Sequence, residues 1–312
     1  VDTEVAPMPV SLAPATAGGA RIRAAFERAH GAGRAAFIPY AVAGFPDAAR
    51  SEAIALALID AGADLIEIGL PYSDPLADGA TLQRASGAAL RSGATLDRSV
   101  ELVTRIRAAR PDVPLIAMGY VNQVIGGRDG GSVLRRLGDA GVSGMILADL
   151  TPDEGADLEQ AAAAHGMAIV YLVTPTTTPE RLRMIASRTG GFLYAVSLAG
   201  VTGARRSLPP GIARFLASVR AVSPVPVAVG FGVSRAAHAR TLAPLADGVI
   251  VASALVDSLG PDGAGVARMT ALAEELRAAT RRACPGRRPA ARDRGGDPGR
   301  LSPRGRSVRS AE

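Results

Sequence analysis

Lysine is absent from this 312-residue chain, and all 35 of its basic residues are arginine. No step that needs a lysine imine is therefore open to it. Tryptophan is absent too, and aromatic residues make up only 4% of the sequence, so a core must be filled mainly by aliphatic side chains. The lone cysteine, Cys284, cannot form an intrachain disulfide and excludes zinc or iron–sulfur sites built from cysteines. No apolar run reaches the ~18 residues of a membrane span; the one uncharged stretch of that length, 160–179, is broken by Gln160, His165 and four threonines. What is present is enough to fold: a 48% hydrophobic content with 21% charged residues excludes a mostly disordered protein.

The formal net charge of +6 suggests a polyanion partner until the charges are located. Residues 285–312 carry eight arginines against three acids, so five of the six charges sit in this segment. It is built from Pro, Gly, Arg and Ser and cannot bury enough apolar surface to offset the entropy of ordering. It also lacks the interleaved aromatics of a nucleic-acid module, so neither nucleic acid nor a membrane is expected as a partner. Residues 1–19 are Pro/Ala-rich, without periodicity and without the basic start and apolar centre of a secretory signal. We expect disordered extensions at 1–19 and 285–312 around one domain at 20–284, whose length is close to the ~250 residues typical of a single (β/α)8 barrel. The initial valine and the methionine at position 8 leave open that the true start lies elsewhere.

The domain repeats one pattern: a short apolar strand, a loop, an amphipathic helix, a glycine, the next strand. Eight candidate strands begin near Phe37, Asp64, Pro114, Ser143, Ala168, Phe192, Val225 and Asp247. Their near-continuous apolar character suits parallel strands covered on both faces. Thr151-Pro152-Asp153-Glu154 reads as a capping box, Thr178 and Ser234 as further N-caps, and Gly62, Gly141, Gly166 and Gly190 as helix stops. Eight alternating units predict an α/β fold, a single (β/α)8 TIM barrel. The longer gap between the second and third strands predicts an extended loop and an extra helix there.

A barrel works at the C-terminal ends of its strands. If Ile66 and Ile68 face the helices, alternation sends Glu67 into the barrel mouth, where desolvation would raise its pKa towards acid–base use. A structural glutamate bonded to nearby backbone or tyrosine is the other reading. The loop that follows, Pro71-Tyr72-Ser73-Asp74-Pro75-Leu76-Ala77-Asp78-Gly79, sets two more carboxylates above the mouth. None of the three histidines has a partner spacing that suggests a metal or a triad. His165 reads as a helix-end residue, and His30 and His238 as helix-surface residues.

Taken as one string, Glu67 to Gly79 closely resembles the signature of the tryptophan synthase alpha chain family. The resemblance runs from about Phe37 to Val256 and includes Met118-Gly-Tyr-Val-Asn122, Asp149-Leu150 with Glu154, Phe192 to Gly203, Gly230-Phe-Gly-Val-Ser234 and Gly248 to Ala254, all in the family's order. It implies cleavage of indole-3-glycerol phosphate to indole and glyceraldehyde 3-phosphate without metal or organic cofactor, with Glu67 and Asp78 as the catalytic pair. It further implies phosphate contacts at Gly203, Gly232, Ala252 and Ser253, and substrate contacts from Tyr40, Tyr120, Tyr194, Ile146 and Thr202. The implied partner is a separate pyridoxal-phosphate-dependent beta chain, in a cytoplasmic α2β2 complex. A stand-alone lyase releasing indole, and a non-catalytic barrel that only activates its partner, are the alternatives. The chain departs from the family's pattern at Phe45, Ala80, Thr151 and Ala252, the last where a glycine is usual.

Overall fold

The computed structural model describes residues 13–125, 132–197, 208–230 and 232–282. The chain divides into two units, Val1–Arg282 and Ala283–Glu312, and every described residue lies in the first. Its strands are β1 (Ala36–Val42), β2 (Ile66–Gly69), β3 (Leu115–Gly119), β4 (Gly144–Leu147), β5 (Ala168–Val170), β6 (Leu172–Val173), β7 (Leu193–Val196), β8 (Val227–Gly230) and β9 (Gly248–Val251). The helices in chain order are α1 (Ala17–Gly31), α2 (Ala48–Asp60), α3 (Ala80–Arg91), α4 (Leu96–Ala109), α5 (Val121–Ile125), α6 (Ser132–Asp139), α7 (Ala156–Ala164), α8 (Pro179–Arg188), α9 (Ile212–Val222), α10 (Ala236–Leu242), α11 (Ser253–Leu259) and α12 (Val266–Ala279). No described helix is long and apolar enough to cross a membrane.

All strand pairs are parallel, in the order β5-β4-β3-β2-β1-β9-β8-β7-β6. The fifth expected strand is thus two strands, separated by Tyr171. Its first half pairs with β4 and its second half with β7, and the Tyr194 amide donates to the Tyr171 carbonyl at 3.0 Å. Tilted strands in a barrel are staggered along their neighbours, so one segment meets its two partners at different heights. The sheet therefore curls into the expected TIM barrel, with β5 and β6 at its seam.

Period-two alternation sorts the core into two shells. The interior stack holds Ala36, Ile38, Leu65, Ile116, Ile146, Ala168, Val170, Phe192, Tyr194, Ala228 and Ile250. The neighbours Phe37, Ile66, Ile68, Leu115, Met145, Ile169 and Val249 pack outward against the helices. The helix α1 belongs to the inner shell: Ile22, Ala25, Phe26 and Ala29 join the stack, and the Phe26 and Phe192 rings lie 5.7 Å apart. This corrects the expected boundary at residue 19. Thr16 caps α1 by accepting the Gly19 amide at 2.9 Å, and a β-carbon at Gly18 would collide with the Ser143 carbonyl, so 17–19 are part of the packed helix.

Other local expectations divide. Thr178 caps α8 as read, through the Arg181 amide at 3.3 Å, and α3 and α4 fill the long gap after β2. Pro152–Glu154 is a 3-10 turn in which Thr151 makes no side-chain cap, and α7 starts only at Ala156. Arg235, not Ser234, precedes α10. Gly62, Gly141 and Gly166 take the left-handed conformation after their helices; after α8 that role falls to Gly191 instead of Gly190. His238 is buried and not on the helix surface.

Just before β1 and β2, Arg34 and Asp64 form an ion pair with each side chain 10% exposed. Asp64 accepts from Arg34 Nη1 and Nη2 and from the Phe37 amide at 2.8 Å, so it joins the two strands at their N-terminal ends. Removing one member of such a buried pair leaves the other charge uncompensated, and Asp64→Asn should cost about 3 kcal/mol. Urea denaturation checks this; a loss below about 1 kcal/mol would place the pair among the surface ion pairs that contribute little.

Candidate active site

The parallel register sets Tyr40 beside Glu67, and Glu67 beside Ile116. Leu65 lies in the interior stack, while Ile66 and Ile68 face the helices, so Glu67 points inward above Leu65. It is only 1% exposed, and its Oε1 has no hydrogen-bond partner among the described residues. A carboxylate left so is costly to ionise. Burial accordingly raises its pKa from 4.5 to about 8.

Asp78 comes from the loop after β2, which is tied down from several sides. The Ala77 amide donates to the Tyr120 hydroxyl at 3.1 Å, and Gln83 Nε2 donates to the Asp78 carbonyl at 2.9 Å. The Tyr72 amide donates to Ser86 Oγ at 3.0 Å, and the Tyr72 and Tyr120 rings stack at 5.1 Å. Partial burial raises Asp78 from 3.8 to about 6, while the Tyr120 hydroxyl bonded to its carboxylate pulls the other way. At neutral pH the two acids thus differ: Glu67 keeps its proton and Asp78 is ionised. Two carboxyl groups pushed apart in this way can act as acid and anion in one reaction.

The tyrosines complete the mouth. Burial raises the Tyr40 and Tyr194 hydroxyls well above the phenol range, and the charges of both Asp78 and Glu67 add to this for each. Two interior glycines make room for them: a β-carbon at Gly69 would collide with the Tyr40 hydroxyl, and one at Gly230 with that of Tyr194. Ile146 is fully buried in the interior stack with Tyr194, whereas its neighbour Leu147 faces the helices.

Across the mouth, Gly232 follows β8 in the left-handed conformation (φ 78°), with no described residue within 4 Å of where a β-carbon would stand. Ala252 immediately precedes α11 with φ −116°, and Ser253 begins that helix. The alanine at 252 therefore meets no positive-φ penalty. Thr202 and Gly203 lie outside the described residues. Glu67, Asp78, Tyr40, Tyr120 and Tyr194 form one electrostatically linked group. A cavity of about 380 Å³ opens elsewhere, between Leu150, Thr151, Tyr171, Thr176 and Arg181, and contains none of that group. Sequence reasoning missed Gln83, Gln123 and Ser86, which hold the loop. Gln123 accepts from the Tyr120 amide at 3.0 Å and donates to the Pro71 carbonyl at 3.0 Å. No periodicity or motif marks them.

The family model for the tryptophan synthase alpha chain matches residues 26–282. The chain belongs to that family. It is 46% identical over 265 residues to the tryptophan synthase alpha chain of Deinococcus radiodurans, covering 84% of this chain and 95% of that one. It is 44% identical over 260 residues to that of Roseiflexus sp. (strain RS-1), covering 82% and 99%. A chain in the structure of Mycobacterium tuberculosis tryptophan synthase in space group F222 superposes with a TM-score of 0.78 at 40% identity, covering 84% of this chain and 99% of that chain. The family assignment and the barrel architecture agree across both kinds of likeness.

The burial of Glu67 carries a stability signature of its own. Because its value in the fold lies above 4.5, its contribution is fully present below about pH 4.5 and is lost as the pH rises through about 8. Glu67→Gln, which carries no charge at any pH, should therefore gain Tm relative to the parent chain as pH increases over that window. A Tm difference that stays constant from acid to alkaline buffer would refute the buried carboxyl.

Proposed function

We propose that this chain is a lyase of tryptophan biosynthesis that cleaves indole-3-glycerol phosphate to indole and glyceraldehyde 3-phosphate. The observation that carries the reading is the pair of carboxyl groups at the barrel mouth, one near 8 and the other near 6, ringed by tyrosines. The reaction breaks the bond between indole C3 and the first side-chain carbon. Glu67, holding its proton, donates it to C3, so that the ring becomes an indolenine cation able to accept the bonding electrons. Asp78, ionised, accepts a hydrogen bond from the ring N–H and stabilises the positive charge developing there. The Glu67 carboxylate then takes the proton of the adjacent hydroxyl. The carbon–carbon bond breaks, its electrons return to the ring, and the former carbinol carbon leaves as the aldehyde. Glu67 ends protonated, as it began.

Tyr40, Tyr194 and Ile146 supply apolar walls for the indole, and Tyr120 holds Asp78 and the loop that carries it. Amides at Gly232, Ala252 and Ser253, with Thr202 and Gly203 from the segment after β7, receive the phosphate. The site requires no cofactor for these steps, since both proton transfers fall to side chains of this chain.

Glu67→Gln should lower kcat by about a thousandfold and Asp78→Asn by about a hundredfold, the range of acid–base and electrostatic contributions. An assay of aldehyde release measures both, and unchanged turnover in Glu67→Gln would sink the assigned role. In the unaltered chain, kcat/KM should rise as pH passes about 6, where Asp78 ionises, and fall as it passes about 8, where Glu67 loses its proton.

The relatives are alpha chains of tryptophan synthase, which favours a two-chain enzyme over a stand-alone lyase. We infer a pyridoxal-phosphate-dependent beta chain as partner, in an α2β2 complex. The support lies at the same end of the barrel as the acids: Leu76, on the Asp78 loop, is 84% exposed, and Ile125, after β3, is 52% exposed. These two large apolar side chains flank the mouth through which indole would leave. Leu76→Asp should weaken association with the beta chain at least tenfold in titration calorimetry while leaving the circular dichroism of the isolated chain unchanged. Equal affinity would remove this loop from the interface.

A further inference from the structure

The one histidine in the interior of the fold lies directly beneath the loop after β8. His238 occupies the third position of α10, only 4% of it is exposed, and its ring turns back towards the chain that enters the helix. Its Nδ1 lies 3.1 Å from the Gly232 carbonyl oxygen and 3.4 Å from the Ser234 amide nitrogen. Its Nε2 lies 3.1 Å from Arg235 Nε, which donates to it. An arginine N–H can only donate, so Nε2 must be the accepting nitrogen and the ring proton resides on Nδ1. From there it donates to the Gly232 carbonyl. The longer Ser234 contact is then the incidental one.

This bond acts on a residue that needs holding. Gly232 stands in the left-handed conformation (φ 78°), and no described residue lies within 4 Å of the place its β-carbon would take. Among the described residues, side-chain packing does not fix its conformation. A glycine free to rotate would leave the amides of its loop without a set direction. A third-position helix side chain reaching back to the entering backbone is the geometry of a capping box, and α10 has no other side-chain cap. We propose that His238 is a positioning residue for phosphate recognition: by clamping the Gly232 carbonyl it holds the loop after β8 in its anion-accepting shape. The inference rests on the phosphate site proposed above. The ligand chemistry is a phosphate monoester or free phosphate, which the loop meets through backbone amides.

The test uses the full chain with inorganic phosphate as the probe, measured by titration calorimetry, beside steady-state cleavage of indole-3-glycerol phosphate. His238→Asn places an amide N–H where Nδ1 stands and preserves the clamp, whereas His238→Gln reaches the Nε2 position and loses it. His238→Leu removes both polar ends. We expect His238→Asn to bind phosphate within about threefold of the parent chain, and the Gln and Leu variants to bind about tenfold more weakly, the scale of one hydrogen bond. For those two, KM should rise in parallel while kcat changes by less than about threefold and the affinity for indole itself is retained. A general loss of structure would lower phosphate and indole binding together, and that result overturns the proposal. So does parental phosphate affinity in the Gln variant, or an Asn variant as weak as it. If the parent chain fails to bind phosphate at all, the phosphate site itself is wrong and this role falls with it. The Asn and Gln variants both keep a polar buried side chain, so the comparison stands even if the Leu variant does not fold.

Discussion

In a closed parallel barrel every second side chain must point inward, and along β2 that rule places Leu65 in the apolar stack and Glu67 one step above it. The same step occurs on β1, where Ile38 is followed by Tyr40, and at β7, where Phe192 is followed by Tyr194. The stack below is filled mainly by aliphatic residues, with Phe26 and Phe192 among them, and sealed by α1. At the height of Glu67, Tyr40 and Tyr194 the interior is no longer hydrocarbon alone, but it is still closed to water. The polar chemistry sits on that boundary because the layer beneath is packed: a carboxyl with solvent below it would have an ordinary acidity.

Burial thus serves both the fold and the site. It costs stability when Glu67 ionises, and it keeps the proton on Glu67 at neutral pH. Asp78 is treated differently because it arrives on a loop and not on a strand. Partial exposure and the Tyr120 hydroxyl limit its shift, so the two acids separate without any ion pair between them. Gly69 and Gly230 contribute by lacking side chains, since each leaves the volume that a tyrosine ring fills. The anion recognition proposed for the other side of the mouth would rest on backbone geometry, which a clamp such as His238 would hold.

Much of this was legible before the structure. Apolar runs separated by helical patterns marked the strands to within about two residues, and the alternation Ile66-Glu67-Ile68 correctly turned Glu67 inward. Tyr40, Tyr120 and Tyr194, expected as substrate contacts, lie close enough to the carboxyl groups to feel their charge, and their contact with substrate stays a proposal. The errors have a common cause. Thr151 and Ser234 have the residue types of N-caps, but capping depends on whether the following backbone turns towards the hydroxyl, and tertiary packing set a 3-10 turn after the first and an extra residue before α10 after the second. The start of α1 falls inside the segment 1–19 expected to be disordered, because a Pro/Ala-rich approach with two glycines has no helical period, although Gly18 lets α1 approach the Ser143 carbonyl. Hydropathy put His238 on a surface because its neighbours are small. The ring is buried, with its Nδ1 3.1 Å from the carbonyl oxygen of Gly232, six residues earlier.

The sequence by itself determined the eight-unit α/β plan, the inward direction of Glu67, the loop that follows it and the family the chain belongs to. Each of these depends on local period, on residue type or on a contiguous string, and none needs distant contacts. Tertiary structure alone decided how the fifth strand is shared between two neighbours, what acidity the two carboxyl groups have, and which side chains hold the mouth in shape. Those properties arise between residues far apart in the chain: Ala77 with Tyr120, Asp64 with Arg34, and Glu67 with the closed layer around it. Acidity in particular belongs to the surroundings of a group, and for Glu67 those surroundings exist only once the barrel has closed.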